Sequence, residues 1–431
     1  MQPGRRLLLL GGLVYLLLLA GLALLNGKLL ALTLPLAVYL LAALLYGPGE
    51  PQLSATRTLS ADRVHEDTPV TVQLTLTNRG SRLEEVRIED VVPRPLALMV
   101  GESRVLTTLA AGQTVELTYT VIARRGRFDF GDVRVTANEH LGLFRRQVTV
   151  QATARLLVLP KSLKLRRVAI RPLRTRGYAG PVPARLGGSG TDFFGVREYQ
   201  LGDARRWINW RVSARHPRNL FTNEFEQERI ADVGLILDAR RRTDVHVPGD
   251  SLFEHAVRAT AALAEAFLSD GNRVGLLVYG RFLDWTFPGY GKLQRERILQ
   301  ALARAETGES QVFENLDYLP TRYFPAQSQL VLISPLHRDD VPMLVRLRAR
   351  GYQLLVIRPE PLGFEARAFE PTPVVELATR IARVEQVLVL RCLQQAGIQV
   401  VDWPVDKPFD QVVHASLGRV PNWFRAVGVE L

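Results

Sequence analysis

Any chemistry in this chain has to come from a small set of residues. Three apolar runs end in polar groups: Ile230 to Leu237 leads into Asp238-Ala239-Arg240-Arg241-Arg242, Val274 to Val278 into Tyr279-Gly280, and Leu330 to Ile333 into Ser334-Pro335. In an open parallel α/β sheet, ligands bind at the carboxyl ends of the strands, so these positions are the first to test. None carries a nucleophile with its base placed by motif. Gly-x-Ser-x-Gly is missing, and Ser189 stands in Gly187-Gly188-Ser189-Gly190, a composition suited to a flexible joint. Phosphate loops are missing too. Gly188-Ser189-Gly190 has Phe193 where the third glycine of a dinucleotide fingerprint belongs, and Gly289-Tyr290-Gly291-Lys292 lacks the Walker spacing and its Ser/Thr. The seven histidines include no i, i+4 pair of the kind a zinc helix uses. One cysteine in 431 residues excludes a disulfide framework and any multi-thiolate metal site, and Cys392 reads as a buried core thiol. The chain is expected to hold no cofactor and to catalyse nothing; a hydrolase would need a nucleophile that these patterns do not show.

The elements that would position these residues follow from periodicity. A length of 431 residues with 47% apolar and 23% charged content suits two or three folded domains. Leu7 to Leu25 is uncharged, Asn26-Gly27-Lys28 interrupts it, and Leu29 to Tyr46 is again uncharged. Each run has the length that spans a hydrocarbon core of roughly 30 Å. No small-x-small cleavage site precedes the second run, so residues 1–50 are expected to be a transmembrane helical hairpin rather than a signal peptide. With Arg5 and Arg6 outside the pair and only Lys28 in its turn, the positive-inside rule expects a multi-pass cell-membrane protein whose soluble domains are cytoplasmic.

Residues 51–160 have period two. Val70, Val72, Leu74 and Leu76 alternate with polar residues, as do Val115, Leu117, Tyr119 and Val121, which predicts a small antiparallel β-sandwich. Residues 161–190 are basic and rich in Pro and Gly, the composition of a linker. Over residues 191–431, near-continuous apolar strands alternate with helical patterns, among them Leu293 to Ala305, Val341 to Arg350 and Thr379 to Ala396. That alternation predicts a doubly wound parallel α/β domain.

The net charge of +12 is local: eleven basic residues lie between Arg145 and Gly190 with no Asp or Glu. Lys161, Lys164, Arg166, Arg167, Arg171, Arg174 and Arg176 are therefore candidates for contact with an anionic membrane surface. Binding of single-stranded nucleic acid through the same stretch is disfavoured, because Tyr178 is the lone aromatic there.

The densest segment runs from Thr191 to Arg229. It contains Phe194-Gly195-Val196-Arg197-Glu198-Tyr199, Gly202-Asp203, Arg206-Trp207-Ile208-Asn209-Trp210, Ser213-Ala214-Arg215 and Glu224-Phe225-Glu226-Gln227-Glu228. This pattern closely resembles the signature of the bacterial domain of unknown function 58 family. The apolar hairpin and Gly142-Leu143-Phe144, at the end of the β-region, fit the same family. The resemblance covers nearly the whole chain. It implies a von Willebrand factor A-like domain after the signature, and frequent pairing with MoxR-type AAA+ ATPases, a class thought to act in assembly or maturation of other proteins. The fold class expected is thus multidomain: a transmembrane hairpin, a β-sandwich, and an α/β doubly wound, von Willebrand factor A-like domain.

In physical terms the signature reads as an ionic scaffold. Glu224, Glu226 and Glu228 at period two share one face of a strand. Arg197, Arg206, Arg211 and Arg215 are their natural partners. Trp207 and Trp210, three apart, would share a helical face. An internal network and a partner-docking surface both suit these residue types, since interface anchors use Arg and Trp as well.

Metal-binding members of the von Willebrand factor A fold hold Mg²⁺ with an Asp-x-Ser-x-Ser loop, a threonine and a later aspartate. This chain resembles that layout but keeps only Asp238. Arg240 and Arg242 stand where the serines would be, no threonine can be matched, and Pro335 follows Ser334 where the aspartate belongs. Guanidinium groups repel a divalent cation, so the degenerate site is expected to hold no metal, with Arg240 paired to Asp238. The function expected is a membrane-anchored, non-catalytic scaffold for a MoxR-type ATPase; the alternatives are an anionic-lipid or nucleic-acid binder and a hydrolase.

Overall fold

The computed structural model of the chain describes residues 2–3, 5–45, 51–138, 144–163, 165, 168, 175–176, 182–216, 218–310, 312–326 and 328–417. The chain divides into two compact units, Met1–Leu159 and Pro160–Leu431.

The first unit opens with two helices, α1 (Arg5–Ala23) and α2 (Gly27–Leu45). Each has 19 residues, but α1 starts on Arg5-Arg6 and α2 on Gly27-Lys28. Beyond these basic starts each helix rises only about 25 Å, short of the roughly 30 Å hydrocarbon core. Leu24 and Leu25, part of the first apolar run in the sequence, belong to the turn between the helices. Among the described residues, no helix is long and apolar enough to cross a membrane. This corrects the expected fold class, which began with a transmembrane hairpin, and the membrane partnership drawn from it. The chain instead begins with a helical pair followed by β-sheets.

The β-part of the first unit is antiparallel, apart from one short parallel pairing. Burial alternates along Val70–Asn78, placing Val70, Val72, Leu74 and Leu76 inside. This strand pairs with Leu53–Leu59 and Thr114–Ile122, while Leu83–Asp90 pairs with Val133–Asn138 and Arg104–Leu109. Their inner faces share one core that includes Leu74, Ile88, Tyr119, Phe130 and Leu156. A polar cluster crosses that core. The fully buried Arg57 side chain donates from Nε to Asp90 Oδ2 at 3.1 Å and from Nη1 to the Gly131 carbonyl at 2.9 Å and the Ala152 carbonyl. Tyr119 donates to the same Asp90 Oδ2 at 2.7 Å.

Among the described residues, the longer strands of the second unit are β1 (Val182–Glu198), β2 (Phe221–Ala239), β3 (Arg273–Gly280), β4 (Leu283–Gly289), β5 (Gln329–Ile333), β6 (Gln353–Pro359) and β7 (Gln399–Trp403). The sheet order is β4-β3-β2-β5-β6-β7, parallel throughout except for β4 at the edge. The helices are α3 (Trp210–Ser213), α4 (Leu252–Ser269), α5 (Gly291–Arg304), α6 (Val341–Ala349), α7 (Pro361–Glu365), α8 (Pro373–Gln395) and α9 (Phe409–Leu417). Leu344 and Leu347 of α6 and Leu393 of α8 join Ile236, Leu277 and Leu332 of the strands in one core. Gly234, in the middle of β2, is required there: a Cβ would lie 2.3 Å from the Phe324 ring. The close approach brings the segment before β5 onto the central strand.

Residues 182–190, the end of the stretch read as a linker, are strand. β1 pairs antiparallel with the first half of β2, with irregular register between Ala184 and Gly187 and around Phe193. Bulges absorb the glycines, and a strand paired on one side tolerates Pro183. Ahead of it, Val168 is buried and Ser162 donates to Glu265.

Arg57→Ala would leave Asp90 and Tyr119 without their cation inside the first unit. A loss of about 3–5 kcal/mol is expected for uncovering a buried charge, read as a lower urea midpoint for that unit. Tyr119→Phe, which removes one hydrogen bond, is expected to cost about 1–2 kcal/mol.

Candidate functional site

The carboxyl end of β2 carries Asp238, and the chain then turns so that Arg240 bridges to Gly308. The Arg240 side chain folds back along the strand end. Its Nε donates to Asp238 Oδ1 at 2.8 Å and Nη2 to Asp238 Oδ2 at 2.6 Å, so the pairing expected from the sequence is present. On its other side it meets Asp340, through Nη1 to Oδ1 at 2.8 Å and Nη2 to Oδ2 at 2.9 Å. Nη1 also donates to the Glu314 carbonyl at 3.1 Å. All five guanidinium N–H groups are thereby used. Asp238, Arg240 and Asp340 are buried, at 2%, 2% and 0% exposure, so the network is dry.

The surrounding groups complete it. Ser334, at the end of β5, donates to Asp238 Oδ2 at 2.6 Å and accepts from the Leu336 amide at 3.1 Å. That bond holds Leu336 in the left-handed region at φ 60°, a conformation disfavoured for a leucine. The His337 amide donates to Asp340 Oδ2 at 3.0 Å, which caps the short helix Arg338–Asp340 leading into α6. Arg242 forks onto Asp339 at 2.7 and 2.9 Å and reaches Asp340 Oδ1 at 3.3 Å. Pro335 contributes its carbonyl, which accepts from the buried Arg358 at 3.1 Å.

The electrostatics follow from this geometry. Burial works against the charge on Arg240, but its bonds to Asp238 and Asp340 outweigh it and hold the guanidinium more firmly protonated than usual. Arg242 holds the Asp339 carboxyl below the usual carboxylate range. Burial pushes the Tyr279 phenol well up, and its hydroxyl donates to the Asn315 carbonyl at 2.6 Å. The oxygens of Asp238 and Asp340 are engaged by Arg240, Ser334 and the His337 amide, whereas a divalent cation needs about six oxygen ligands.

Sequence reasoning missed Asp340 and Arg358. The available signal for Asp340 was Asp339-Asp340 directly before Val341-Pro342, an acidic helix start. Nothing local pointed from it to Arg240.

The signature segment forms a second constellation beside the start of β2. Arg197, near the end of β1, grips Asp203 in a bidentate pair, from Nη1 at 2.8 Å and Nη2 at 2.7 Å. It also donates to the Glu198 carbonyl at 2.9 Å and lies 3.4 Å from Glu224 Oε1. Asp203 Oδ2 accepts from the Gln200 amide at 2.9 Å, and the Tyr199 hydroxyl donates to the Asp203 carbonyl at 3.3 Å. Gly202, with φ 113°, makes the tight turn that returns Asp203 to Arg197. Hydrogen bonding from Arg197 holds the Asp203 carboxyl below its usual range.

Other expected members fall elsewhere. Arg206, Arg211 and Arg215 are exposed and make no ion pair with a described carboxylate. Trp207 ends the 3-10 turn Arg205–Trp207 while Trp210 opens α3, so the two tryptophans share no helical face, and Trp210 is 67% exposed. Cys392 is exposed rather than a core thiol, because α8 directs Leu393 inward instead. The side chains of Glu226, Glu228 and Phe144 lie outside the described residues, as do Gly142, Leu143, Lys164, Arg166, Arg167, Arg171 and Arg174 and the side chain of Arg176. Lys161 is exposed.

Arg240→Ala is expected to destabilise the second unit by about 3–5 kcal/mol, since it leaves Asp238 buried without its cation and Asp340 with Arg242 alone. Calorimetric titration of the full chain is expected to show no submillimolar Mg²⁺ binding. Submillimolar binding lost on Asp238→Ala would overturn that expectation. For Asp203 the sign is that of a depressed carboxyl: the Arg197 pair stabilises the fold above the ordinary carboxylate value near ~4 and loses that contribution as pH falls through the lower, folded value. Melting temperatures at pH 7 and pH 2.5 are therefore expected to differ less in Arg197→Gln than in the parent chain.

No curated protein matches the chain. Among solved structures it is similar to the CARDB domain of a Pyrococcus furiosus protein, at 13% identity over 26% of this chain and 96% of that one, with a TM-score of 0.19. It is also similar to the major pilin subunit of Bacillus cereus, at 8% identity over 30% of this chain and 46% of that one, TM-score 0.21. A third is native alpha-2-macroglobulin from Escherichia coli, domain MG7 to the C-terminus, at 17% identity over 31% and 22% of the two chains, TM-score 0.22. Residues 195–359, which hold both the Arg197–Asp203 pair and the Arg240 network, match the family model described as "Protein of unknown function DUF58".

Proposed function

We propose that this chain is a non-catalytic scaffold that docks a MoxR-type AAA+ ATPase through the exposed side of its signature segment. The observation that carries the reading is the division of labour within that segment. Arg197, Asp203 and Glu224 bond to one another and hold the backbone, whereas Leu201, Trp210 and Leu220 stand out in solvent at 104%, 67% and 47% exposure.

Backbone hydrogen bonds tie together the stretches that carry these three residues. The Tyr199 amide donates to the Leu220 carbonyl at 2.8 Å, and the Asn209 amide donates to the Phe221 carbonyl at 2.8 Å. The backbone around Leu201 and Trp210 is thereby tied to the start of β2. Arg206, Arg211 and Arg215, in the same segment, are exposed too. An exposed tryptophan, leucines and arginines in one segment have the composition of an interface hot spot, and the arginines would add a salt-dependent attraction to an acidic partner surface. The occupied end of β2 supports the non-catalytic half of the reading. Where an α/β sheet presents its ligand groups, this one presents a guanidinium with every donor engaged.

Co-purification of the full chain with the cognate MoxR-type ATPase at low salt, with and without nucleotide, tests the proposal. Recovery is expected to fall as salt rises. Trp210→Ala is expected to weaken binding about tenfold or more with the melting temperature unchanged, the cost of losing a central aromatic anchor. Recovering no ATPase under any of these conditions would remove the reading.

A further inference from the structure

Helix α8 is apolar on its outward side as well as its inward one. Its inward side carries Val375, Thr379, Ala382, Gln386, Val389 and Leu393, all half-buried or buried, and two of the six are polar. Its outward side carries Val374, Leu377, Ile381, Val384 and Leu388, exposed by 76%, 57%, 58%, 62% and 55%. A helix on the surface of a domain ordinarily does the opposite, facing its apolar stripe to the core.

The outward residues are also spaced in a particular way. The steps from Val374 to Leu388 are three, four, three and four, the a and d positions of two successive heptads. Such a seam matches another helix rather than a flat surface, because each a and d side chain enters a hole between four residues of the facing helix. The flanking positions indicate which helix. With Val374, Ile381 and Leu388 at a, Arg380 falls at g and Glu385 at the following e. In a parallel pair of identical helices, g of one chain meets the following e of the other, so Arg380 faces Glu385 of the second copy twice over, by symmetry. Neither residue forms an ion pair with a described group of its own chain. Val374 and Ile381 at a with Leu377 at d are also the choices that favour two parallel strands, whereas Val384 at d and Leu388 at a are neutral to that choice. Ala378, at the remaining e position, is small enough to let the helices approach.

We propose that α8 is a self-association element, pairing in parallel with α8 of a second copy of this chain through Val374, Leu377, Ile381, Val384 and Leu388. The pairing is independent of ATPase docking, since α8 lies outside residues 195–359 and shares no residue with the signature segment. A seam of two heptads is shorter than the three or four that sustain a permanent coiled coil, so the dimer is reversible.

Sedimentation of the full chain is expected to show a mass rising from one copy towards two between about 1 and 200 μM. Ile381→Lys, a change at an exposed position, is expected to leave the melting temperature unaltered and to lower the association constant at least tenfold. Arg380→Glu and Glu385→Arg are each expected to weaken association, and the double exchange to restore it, which a merely sticky apolar face would not do. In a Cys392→Ser background, Ile381→Cys is expected to form a disulfide-linked dimer on mild oxidation, because paired a positions face each other. The parent Cys392, at an e position, is expected to cross-link more slowly. A full chain that stays monomeric to 200 μM would overturn the proposal. So would association insensitive to Ile381→Lys, or an Ile381→Cys cross-link no faster than that of Cys392. Loss of protection of α8 from hydrogen exchange on deleting residues 418–431 from a monomeric chain would assign the seam to the chain's own C-terminal segment and would equally overturn it.

Discussion

One guanidinium held between two buried carboxylates anchors the second unit. Arg240 ties the end of the central strand to Asp340 at the start of α6 and to the Glu314 carbonyl in the segment that packs Phe324 over Gly234. Removing three charges from water is costly, and their mutual attraction offsets that cost only because each polar atom has a partner. The contribution of such a cluster lies less in net stability than in specificity. A slip of β5 or a different path for residues 334–340 would strand a bare charge in the core. The same constraint explains the left-handed Leu336, whose amide is needed by the Ser334 hydroxyl that also serves Asp238.

The first unit relies on a comparable device. Arg57, Asp90 and Tyr119 stand on three different strands, and bonds to the Gly131 and Ala152 carbonyls bring in two connecting segments. Stacked over by Phe130 at 5.2 Å, the guanidinium pins the registers of sheets that hydrophobic alternation alone would leave free to slide by two residues. Burial and the bond to Asp90 push the Tyr119 phenol well above its ordinary range, so the hydroxyl keeps its proton at neutral pH.

Around these rigid points the surface is unevenly finished. The signature segment spends Arg197, Asp203 and the glycine turn on holding its own shape and leaves its largest apolar groups in solvent. Helix α8 buries Leu393 and packs Val389 against the core, yet leaves Val374, Leu377, Ile381, Val384 and Leu388 in solvent. Both are local departures from the pattern that core formation favours, and such departures are where binding surfaces are found.

Much of the local structure was legible from the sequence. Alternation along Val70 to Leu76, the apolar run Ile230 to Leu237, and the helical pattern Leu293 to Ala305 each answer to a period that neighbouring residues establish among themselves. The pairing of Asp238 with Arg240 was legible for the same reason, since two residues across a strand end meet whatever the rest of the chain does. Composition misled where backbone geometry decides. Proline and glycine around residues 182–190 suggested a linker, yet a partner strand supplies the hydrogen bonds and bulges absorb the irregular residues. Counting uncharged residues likewise overestimated the N-terminal helices, because the turn between them takes Leu24 and Leu25. Only the tertiary structure brought Asp340 to Arg240 across a hundred residues of chain, left Trp210 and the seam of α8 uncovered, and turned Cys392 outward. Periodicity determines which residues share a face, whereas the packing of other elements decides whether that face is covered, and no local pattern in a chain encodes what lies opposite it.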